Sequence, residues 1–461
     1  MKKTREETSA RVAEAFLLAL VFLTAVLGFT LLSVSSRLQE GSNPWAGMPG
    51  VLLPAAIIGL TGAGLHVLMR VRQMDKEQLI LPVVCLLFTV GALMIERLQG
   101  PSGLWQQFLR GYIPGVIVIG LLILRPHWVE QLRRWIIPLC VAGLLLPIAT
   151  AFFGVIDETG ARLALKVGLV AVQPSEIIKL ILILFLAWYI DREGQKAEGR
   201  AQPFLGWLRL PSLSYFLPGA LVVSLATLAL VKMSDYGAVL ILACLFIAML
   251  FAGFETRIFL TVGGIGLGLA LAVALVLRYT WHVPTVIQYR FLAFLDPWSN
   301  AQVLLNGKPA GITISEGPGY QIQQAIYAMV SGGLSGTGLG FGTPQYVPLA
   351  HSDFIFAAII EELGSVTGLA LLGFYVILIL RIARVALLIP AEQVFERLLL
   401  IGIAIHFFVQ VFVMVGGTLN LLPLTGVTIP FLSLGGMALL VNLTEIGLVL
   451  SIAQRLEAEP V

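Results

Sequence analysis

The sequence predicts an all-α polytopic membrane protein, and three observations support this fold class. Apolar residues make up 58% of the 461-residue chain and charged residues only 12%, whereas a soluble domain carries about 25% charged residues. The mean hydropathy is +0.93. The apolar residues come in long runs and do not alternate with polar ones, which favours spanning helices over an outer-membrane barrel.

The apolar runs predict about twelve transmembrane helices, because a spanning helix needs about 20 mostly apolar residues. The predicted spans begin near Ala15, Val51, Leu79, Gly111, Trp135, Glu176, Phe216, Gly237, Ile258, Phe354, Leu398 and Gly436.

The basic residues predict the orientation of these spans. Most of the 29 Lys and Arg residues fall in alternate connecting segments, beginning with the N-terminal segment that holds Lys2 and Lys3. Because basic residues accumulate on the cytoplasmic side of a membrane, we expect both termini in the cytoplasm. The same pattern predicts a cytoplasmic linker over residues 191–210 and a large extracytoplasmic loop over residues 278–353.

Cysteine and histidine give no sign of a metal site. Cys85, Cys140 and Cys244 lie in apolar spans, where free cysteines usually serve as packing residues. The five histidines show no metal-ligand spacing. The sequence therefore predicts no metal-ligating residues.

Residues 288–364 differ from the rest of the chain because they are polar, glycine-rich and aromatic. They include Gln288–Asn300 (QYRFLAFLDPWSN), the glycine run from Gly332 to Gly342, and the segment His351-Ser-Asp353. The glycine run lacks the Gly-Lys-Ser/Thr ending of a nucleotide P-loop, so no nucleotide cofactor is expected. We expect the polar block to carry the function.

Two further motifs lie among the spans. In Gln173–Lys179 (QPSEIIK), Glu176 and Lys179 are three residues apart on one helical face. Charges at membrane depth usually face a cavity or each other, so a structural ion pair and a pair lining a lipid-substrate groove both remain open. Gly417–Gly436, which contains LPLTGVTIPFLSLGG from Leu422, has no charge, and its two prolines and four glycines exclude a continuous helix. We expect this segment to form one wall of a central cavity.

Together these motifs resemble the SEDS family, which comprises the RodA, FtsW and SpoVE proteins of bacterial elongation, division and sporulation. The resemblance implies a two-helix extension over residues 1–74 and a SEDS-like core of about ten spans over residues 75–461. It further implies a bacterial inner-membrane peptidoglycan glycosyltransferase that polymerises lipid II, with inversion at the anomeric carbon and undecaprenyl diphosphate leaving.

The resemblance also points to a departure at the catalytic position. In the family, an Asp-Pro pair is followed by a second Asp, thought to be catalytic, shortly before Gly-Tyr-Gln. Here Asn300 occupies that position, and a polar insertion at about residues 301–315 separates it from Gly319-Tyr-Gln321. Because an amide is no general base, Asp296 and Glu316 are the candidate catalytic carboxylates. Asp296 is equally typical of a turn residue before proline, and Glu316 of a solvated loop charge, unless Glu316 folds back towards Asn300.

The resemblance implies further residues that bind the lipid substrate. Cations suit the departing diphosphate, while polar groups of the other family motifs suit the rest of the substrate. The resulting set is Glu176, Lys179, Arg290, Arg278, His351, Asp353 and Ser433. A divalent cation, Mg²⁺ or Mn²⁺, is also implied by the resemblance.

The expected partners are lipid II, a class B penicillin-binding protein with transpeptidase activity, and other membrane proteins of the divisome or elongasome, but no nucleic acid. Two alternative functions remain open. A lipid II flippase would also use a polar cavity with an intramembrane Glu–Lys pair. A non-catalytic scaffold of the division or elongation machinery is favoured by Asn300.

Overall fold

The structure is a computed structural model, and it describes residues 11–43, 45, 47–74, 76–156, 162–167, 170–204, 206–266, 285–305 and 308–458. Helices dominate these residues, and short antiparallel strands connect some of them. The prediction of an all-α polytopic membrane fold is therefore confirmed.

Fourteen helices are labelled here in chain order. They are α1 Val12–Gln39, α2 Met48–Val51, α3 Leu53–Val71, α4 Ile80–Gln107, α5 Ile113–Leu124, α6 Trp128–Phe153, α7 Pro174–Gly199, α8 Leu213–Lys232, α9 Tyr236–Gly253, α10 Thr285–Leu295, α11 Tyr320–Gly332, α12 Ile355–Leu388, α13 Val394–Thr418 and α14 Gly436–Ala458. A π-helix at Phe108–Tyr112 joins α4 to α5, and a 3-10 helix covers Pro344–Tyr346. Residues 256–266 are also helical.

The strands form three small antiparallel sheets. They are β1 Val155–Ile156, β2 Arg162–Val167, β3 Val170–Val172, β4 Gln202–Phe204, β5 Leu208–Leu210, β6 Gln302–Leu305 and β7 Lys308–Thr313. The order is β1-β2-β3 in the first sheet, and β4-β5 and β6-β7 are hairpins. The β6-β7 hairpin lies inside the polar block.

In the described residues, nine helical segments are long and apolar enough to cross a membrane. One of them, Ile80–Leu124, contains two predicted spans, those near Leu79 and Gly111. The predicted span near Glu176 is α7, which is not among the nine. The predicted span near Ile258 continues beyond the described residues. The count of about twelve spans therefore stays a prediction.

The chain divides into two compact units. The first comprises Met1–Val129, Tyr320–Val385 and Gln410–Val461, and the second comprises Glu130–Gly319 and Ala386–Val409. In the first unit, α1 packs on α3 and α4, and α14 packs on α5 and the π-helix. In the second unit, α7 packs on α8 and α9.

A helix break in the first unit positions the glycine run. Helix α12 is interrupted at Gly364, where φ is +84°. A Cβ atom at Gly364 would stand 2.2 Å from the carbonyl oxygen of Leu334, so only glycine permits this close approach. The Ser365 amide donates to the carbonyl of Gly333 at 3.0 Å. The broken helix therefore holds one end of the glycine run by backbone contact.

The C-terminal segment also agrees with its sequence. No helix forms between the end of α13 at Thr418 and the start of α14 at Gly436, all of which the structure describes. The side-chain amide of Gln410 donates to the carbonyl of Thr428 at 2.9 Å, and the Tyr375 hydroxyl donates to the carbonyl of Pro430. The predicted interruption is confirmed, and side chains from neighbouring helices satisfy its backbone.

Candidate functional site

Asp296 lies directly after α10, at the turn that begins the predicted catalytic segment. Its Oδ1 accepts a hydrogen bond from the Trp298 amide at 3.1 Å, and its carbonyl accepts one from the Ser299 amide at 3.2 Å. These are the bonds of an Asx turn, and the side chain is exposed. Asp296 therefore acts as a turn residue here, while its catalytic role stays a prediction.

Glu316 is brought back towards Asn300 by the polar insertion. Strands β6 and β7 pair antiparallel, with Gln302 opposite Thr313. Beyond the hairpin, the Ile314 amide donates to the carbonyl of Ala301 at 2.9 Å, and the Ser315 amide donates to the carbonyl of Ser299 at 3.0 Å. Ser299 and Ser315 precede Asn300 and Glu316, respectively. The predicted fold-back is thus present in the structure.

The Glu316 carboxylate is held by its own turn. Its Oε2 accepts hydrogen bonds from the amide and the hydroxyl of Thr313, both at 3.0 Å. These two bonds hold the pKa of Glu316 below its ordinary value of 4.5. The side chain is exposed, so at neutral pH it is an ionised carboxylate open to an incoming group.

The cations predicted for the diphosphate are only partly described. Arg290 lies on α10, the helix that leads into Asp296, and its side chain is half-buried. Arg278 lies outside the described residues. Arg290 and both candidate carboxylates belong to the second unit, so one compact unit supplies the anionic and cationic groups of the predicted reaction.

Glu176 and Lys179 form the expected pair at the start of α7. Lys179 Nζ lies 2.8 Å from Glu176 Oε2, and the two residues are 1% and 6% exposed. Since α7 begins at Pro174, both charges lie near the end of a helix whose surroundings exclude most water. The prediction that they share one helical face is confirmed.

A third charged residue, Asp235, belongs to this cluster and was not predicted from the sequence. It caps α9, with Oδ1 accepting from the Ala238 amide at 3.0 Å. Burial raises the pKa of Asp235, while the Ala238 amide, the Ser175 hydroxyl and the charge of Lys179 act in the opposite direction. The signal in the sequence was an acid between two apolar runs, in a position typical of a helix cap.

His351, Asp353 and Ser433 come together in the first unit through backbone contacts. Ser433 Oγ donates to the carbonyl of Ser352 at 2.7 Å and accepts from the Ile429 amide at 3.0 Å. The Leu434 amide donates to the carbonyl of His351 at 2.9 Å. Ser433 is 4% exposed, so its hydroxyl fastens the C-terminal segment here, and substrate binding by these residues stays a prediction.

The His351 side chain is half-buried and contacts Gln99, which belongs to the same unit. Its Nδ1 lies 3.0 Å from the Gln99 side-chain nitrogen. Burial lowers the pKa of His351 below its ordinary value of 6.5, so the imidazole is neutral at pH 7. A neutral ring can exchange hydrogen bonds with a sugar or an amide but adds no positive charge for a diphosphate.

The glycine run surrounds a buried ion pair whose cation, Arg97, was also missed. Arg97 Nε donates to Glu362 Oε1 at 2.9 Å, and its Nη2 donates to the carbonyl of Gly342 at 3.0 Å. Glu362 Oε2 accepts from the Gly340 amide at 2.8 Å, and Glu361 Oε1 accepts from the Thr343 amide at 2.8 Å. These contacts make Glu362 a paired structural group.

The implied divalent cation finds no preformed set of ligands in the described part of the chain. No group of three or more His, Cys, Asp or Glu side chains comes together there.

The fold and these sites define a multi-pass membrane protein with a structured polar block between its spans. The model of the family that groups FtsW, RodA and SpoVE, described as "Cell cycle protein", matches residues 73–458. The chain therefore belongs to this family, the SEDS family, as its motifs predicted.

Two curated relatives and one solved structure illustrate the similarity. The chain is 34% identical over 331 residues to the probable peptidoglycan glycosyltransferase FtsW of Trichlorobacter lovleyi, covering 71% of this chain and 78% of that one. It is 30% identical over 446 residues to the peptidoglycan glycosyltransferase RodA of Mycobacterium tuberculosis, covering 92% and 87%. A chain from the structure "Structural coordination of polymerization and crosslinking by a peptidoglycan synthase complex" superposes with a TM-score of 0.63 at 25% identity, covering 82% of this chain and 97% of that one.

Proposed function

We propose that this chain is a peptidoglycan glycosyltransferase that polymerises lipid II during cell elongation or division. The observation that carries the proposal is the match to a relative of that name over 92% of the chain. The reaction would join the 4-hydroxyl of one sugar to the anomeric carbon of another, with inversion, as undecaprenyl diphosphate leaves.

The reaction needs a carboxylate that takes the proton from the attacking hydroxyl. Glu316 is the better candidate because strands β6 and β7 return it to the neighbourhood of Asn300, where the family pattern has its second Asp. Its lowered pKa keeps it ionised at neutral pH, as a base must be. Asp296 is the alternative, and each of the two carboxylates has one oxygen that accepts hydrogen bonds within its own turn.

The departing diphosphate needs positive charge close to where its negative charge develops. Arg290 is suited to this task because α10 carries it on the helix that leads into Asp296. Lys179 is less suited, because its ammonium is bound to Glu176. Arg278 remains a second candidate from the sequence.

The α7 cluster favours a substrate role over a purely structural one. It combines two carboxylates, Glu176 and Asp235, with the single ammonium of Lys179. Asp235 caps α9 through Oδ1, and the cluster still holds two carboxylates for one cation, although each buried charge costs solvation energy. The excess acceptor capacity suits the hydroxyl and amide groups of a sugar or peptide.

The proposed setting follows from the same family. The chain would lie in the bacterial inner membrane with both termini in the cytoplasm and the polar block on the outer side. Its partner would be a class B penicillin-binding protein, and the similarity to a chain of a polymerising and crosslinking complex supports this.

The test is polymerisation of labelled lipid II by the purified protein, with the partner present, comparing Glu316→Gln with Asp296→Asn. Both changes remove a charge and keep an acceptor oxygen, so the Asp296 turn survives. We expect Glu316→Gln to abolish glycan strands and Asp296→Asn to retain them, and the reverse result would make Asp296 the base. Lipid II movement across vesicles without polymer would identify a flippase, and partner binding without either activity would identify a scaffold.

A further inference from the structure

The N-terminal helix α1 reaches the glycine run. This helix precedes residues 73–458, the part of the chain that the family model matches. Near its C-terminal end, the Gln39 side-chain nitrogen donates to the carbonyl of Gly340 at 2.9 Å. One turn earlier lies Ser35, which is 4% exposed. Both residues and Gly340 belong to the first unit, so the contact lies within one compact body.

Gly340 leaves no free space between the loop and this helix. Its φ is +85°, and a Cβ atom there would stand 2.1 Å from Ser35 Oγ. A side chain at position 340 would therefore be strained by its backbone and would collide with α1. The glycine permits a close approach between the loop and α1, and that approach brings the Gly340 carbonyl within reach of Gln39.

Gly340 is held from three helices at once. Its amide donates to Glu362 on α12 at 2.8 Å. Its carbonyl accepts from Gln39 on α1 and also from Arg97 on α4, at 3.4 Å. The bond from Gln39 is the shorter of the two at the carbonyl. Removal of α1 would leave this carbonyl with one long hydrogen bond.

We propose that Gln39 is a positioning residue that fixes the glycine run, so that α1 controls the placement of this loop. The loop belongs to the polar block between the spans, and its link to turnover rests on the proposed function. Gln39 acts through the loop and does not bind substrate. It restricts the backbone of residues 338–342, while Ser35 lies where α1 comes closest to Gly340.

The direct test is hydrogen exchange of the full-length protein in detergent, comparing Gln39→Leu with Glu40→Leu. Both change an exposed side chain at the end of α1 to the same residue, but only Gln39 bonds to the loop. We expect amides 338–343 to exchange about fivefold faster in Gln39→Leu, as loss of one hydrogen bond implies. Amides of α12 beyond Gly364 and all amides of Glu40→Leu should match the wild type.

A second pair of variants tests the steric contact at Ser35. Ser35→Leu would force the loop away from α1 and raise exchange at residues 338–343, whereas Ser35→Ala leaves room and should have no effect. The proposal is overturned if Gln39→Leu exchanges like the wild type, or if Glu40→Leu is affected equally.

Polymerisation of lipid II provides the functional readout. We expect Gln39→Leu to lower kcat about fivefold with KM unchanged, because Gln39 positions the loop and does not bind substrate. A raised KM at unchanged kcat would overturn the positioning role. If the wild type makes no polymer, the proposed function fails, while the exchange experiment still decides whether α1 fixes the loop.

Discussion

Two buried charge clusters in this protein use their hydrogen bonds in different ways. Around Arg97 and Glu362, the charges bind the backbone of the glycine run, at Gly340 and Gly342. Around Lys179, the ammonium lies 2.8 Å from Glu176, and its charge lowers the pKa of Asp235, which also caps α9. The first cluster fixes a segment of chain, and the second concentrates charge without fastening a loop.

Burial does not distinguish a structural charge cluster from a functional one here, because both clusters are buried. The partners of the charged groups are the better guide. A charge whose donors and acceptors are used by backbone groups has little capacity left for a ligand. Both clusters hold two carboxylates for one cation, but Glu361 and Glu362 each accept from a backbone amide, at Thr343 and Gly340. Glu176 pairs with Lys179, which leaves acceptor capacity that a substrate can use. We therefore expect changes around Arg97 to affect stability and changes around Lys179 to affect activity.

The largest expected effect is that of Arg97→Ala on stability. It leaves Glu362, whose side chain is 0% exposed, without its ion-pair partner, and breaking a buried pair in this way costs about 3–5 kcal/mol. The measurement is the free energy of unfolding in mixed detergent. Arg70→Ala is the control, since Arg70 is exposed and should change stability by less than about 0.5 kcal/mol. Equal effects of the two substitutions would contradict the structural assignment.

The double variant Glu176→Gln/Lys179→Met tests whether the cluster around Lys179 serves activity and not stability. Replacing both members of a buried pair by groups of similar volume is often neutral for stability. Asp235 would then lose both the Lys179 charge that lowers its pKa and the Glu176 charge that raises it. We expect unfolding free energy within about 1 kcal/mol of the wild type and polymerisation reduced at least about 100-fold. Retained polymerisation would make this cluster structural as well.

A smaller effect is expected from Thr313→Val, which removes the hydroxyl bound to Glu316. Because that bond lowers the pKa of Glu316, the variant's pKa should rise towards 4.5. A base works only when ionised, so activity is lost as pH falls through this pKa, and the variant should lose it at higher pH. The measurement is the acid limb of the kcat/KM profile, with Thr313→Ser as control. An unmoved limb would show that Glu316 does not set it.

The sequence predicted the features that depend on local chemistry. Apolar runs predicted the membrane fold, the three-residue spacing predicted the Glu176–Lys179 pair, and proline and glycine predicted the break before Gly436. The missed features join residues that are distant in the chain. Arg97 and Glu362 are 265 positions apart, and Gln39 and Gly340 are 301 apart, so only packing of the helices determines these partners.

The fold-back of Glu316 falls between these two cases. The sequence suggested that Glu316, just before Gly317-Pro318-Gly319, could fold back towards Asn300. The sequence did not determine where the return would end. The pairing of Gln302 with Thr313 and the bond from the Ser315 amide to Ser299 do so, and these backbone contacts depend on hairpin geometry.

The central claim is that Glu316 supplies the carboxylate that Asn300 lacks. Its most direct test is the rate of lipid II polymerisation by Glu316→Gln, with and without a second change, Asn300→Asp. We expect Glu316→Gln to lose at least about 100-fold in rate and the double variant to recover most of it, because the acid returns at the position of the family pattern. A wild-type rate in Glu316→Gln alone would contradict the claim.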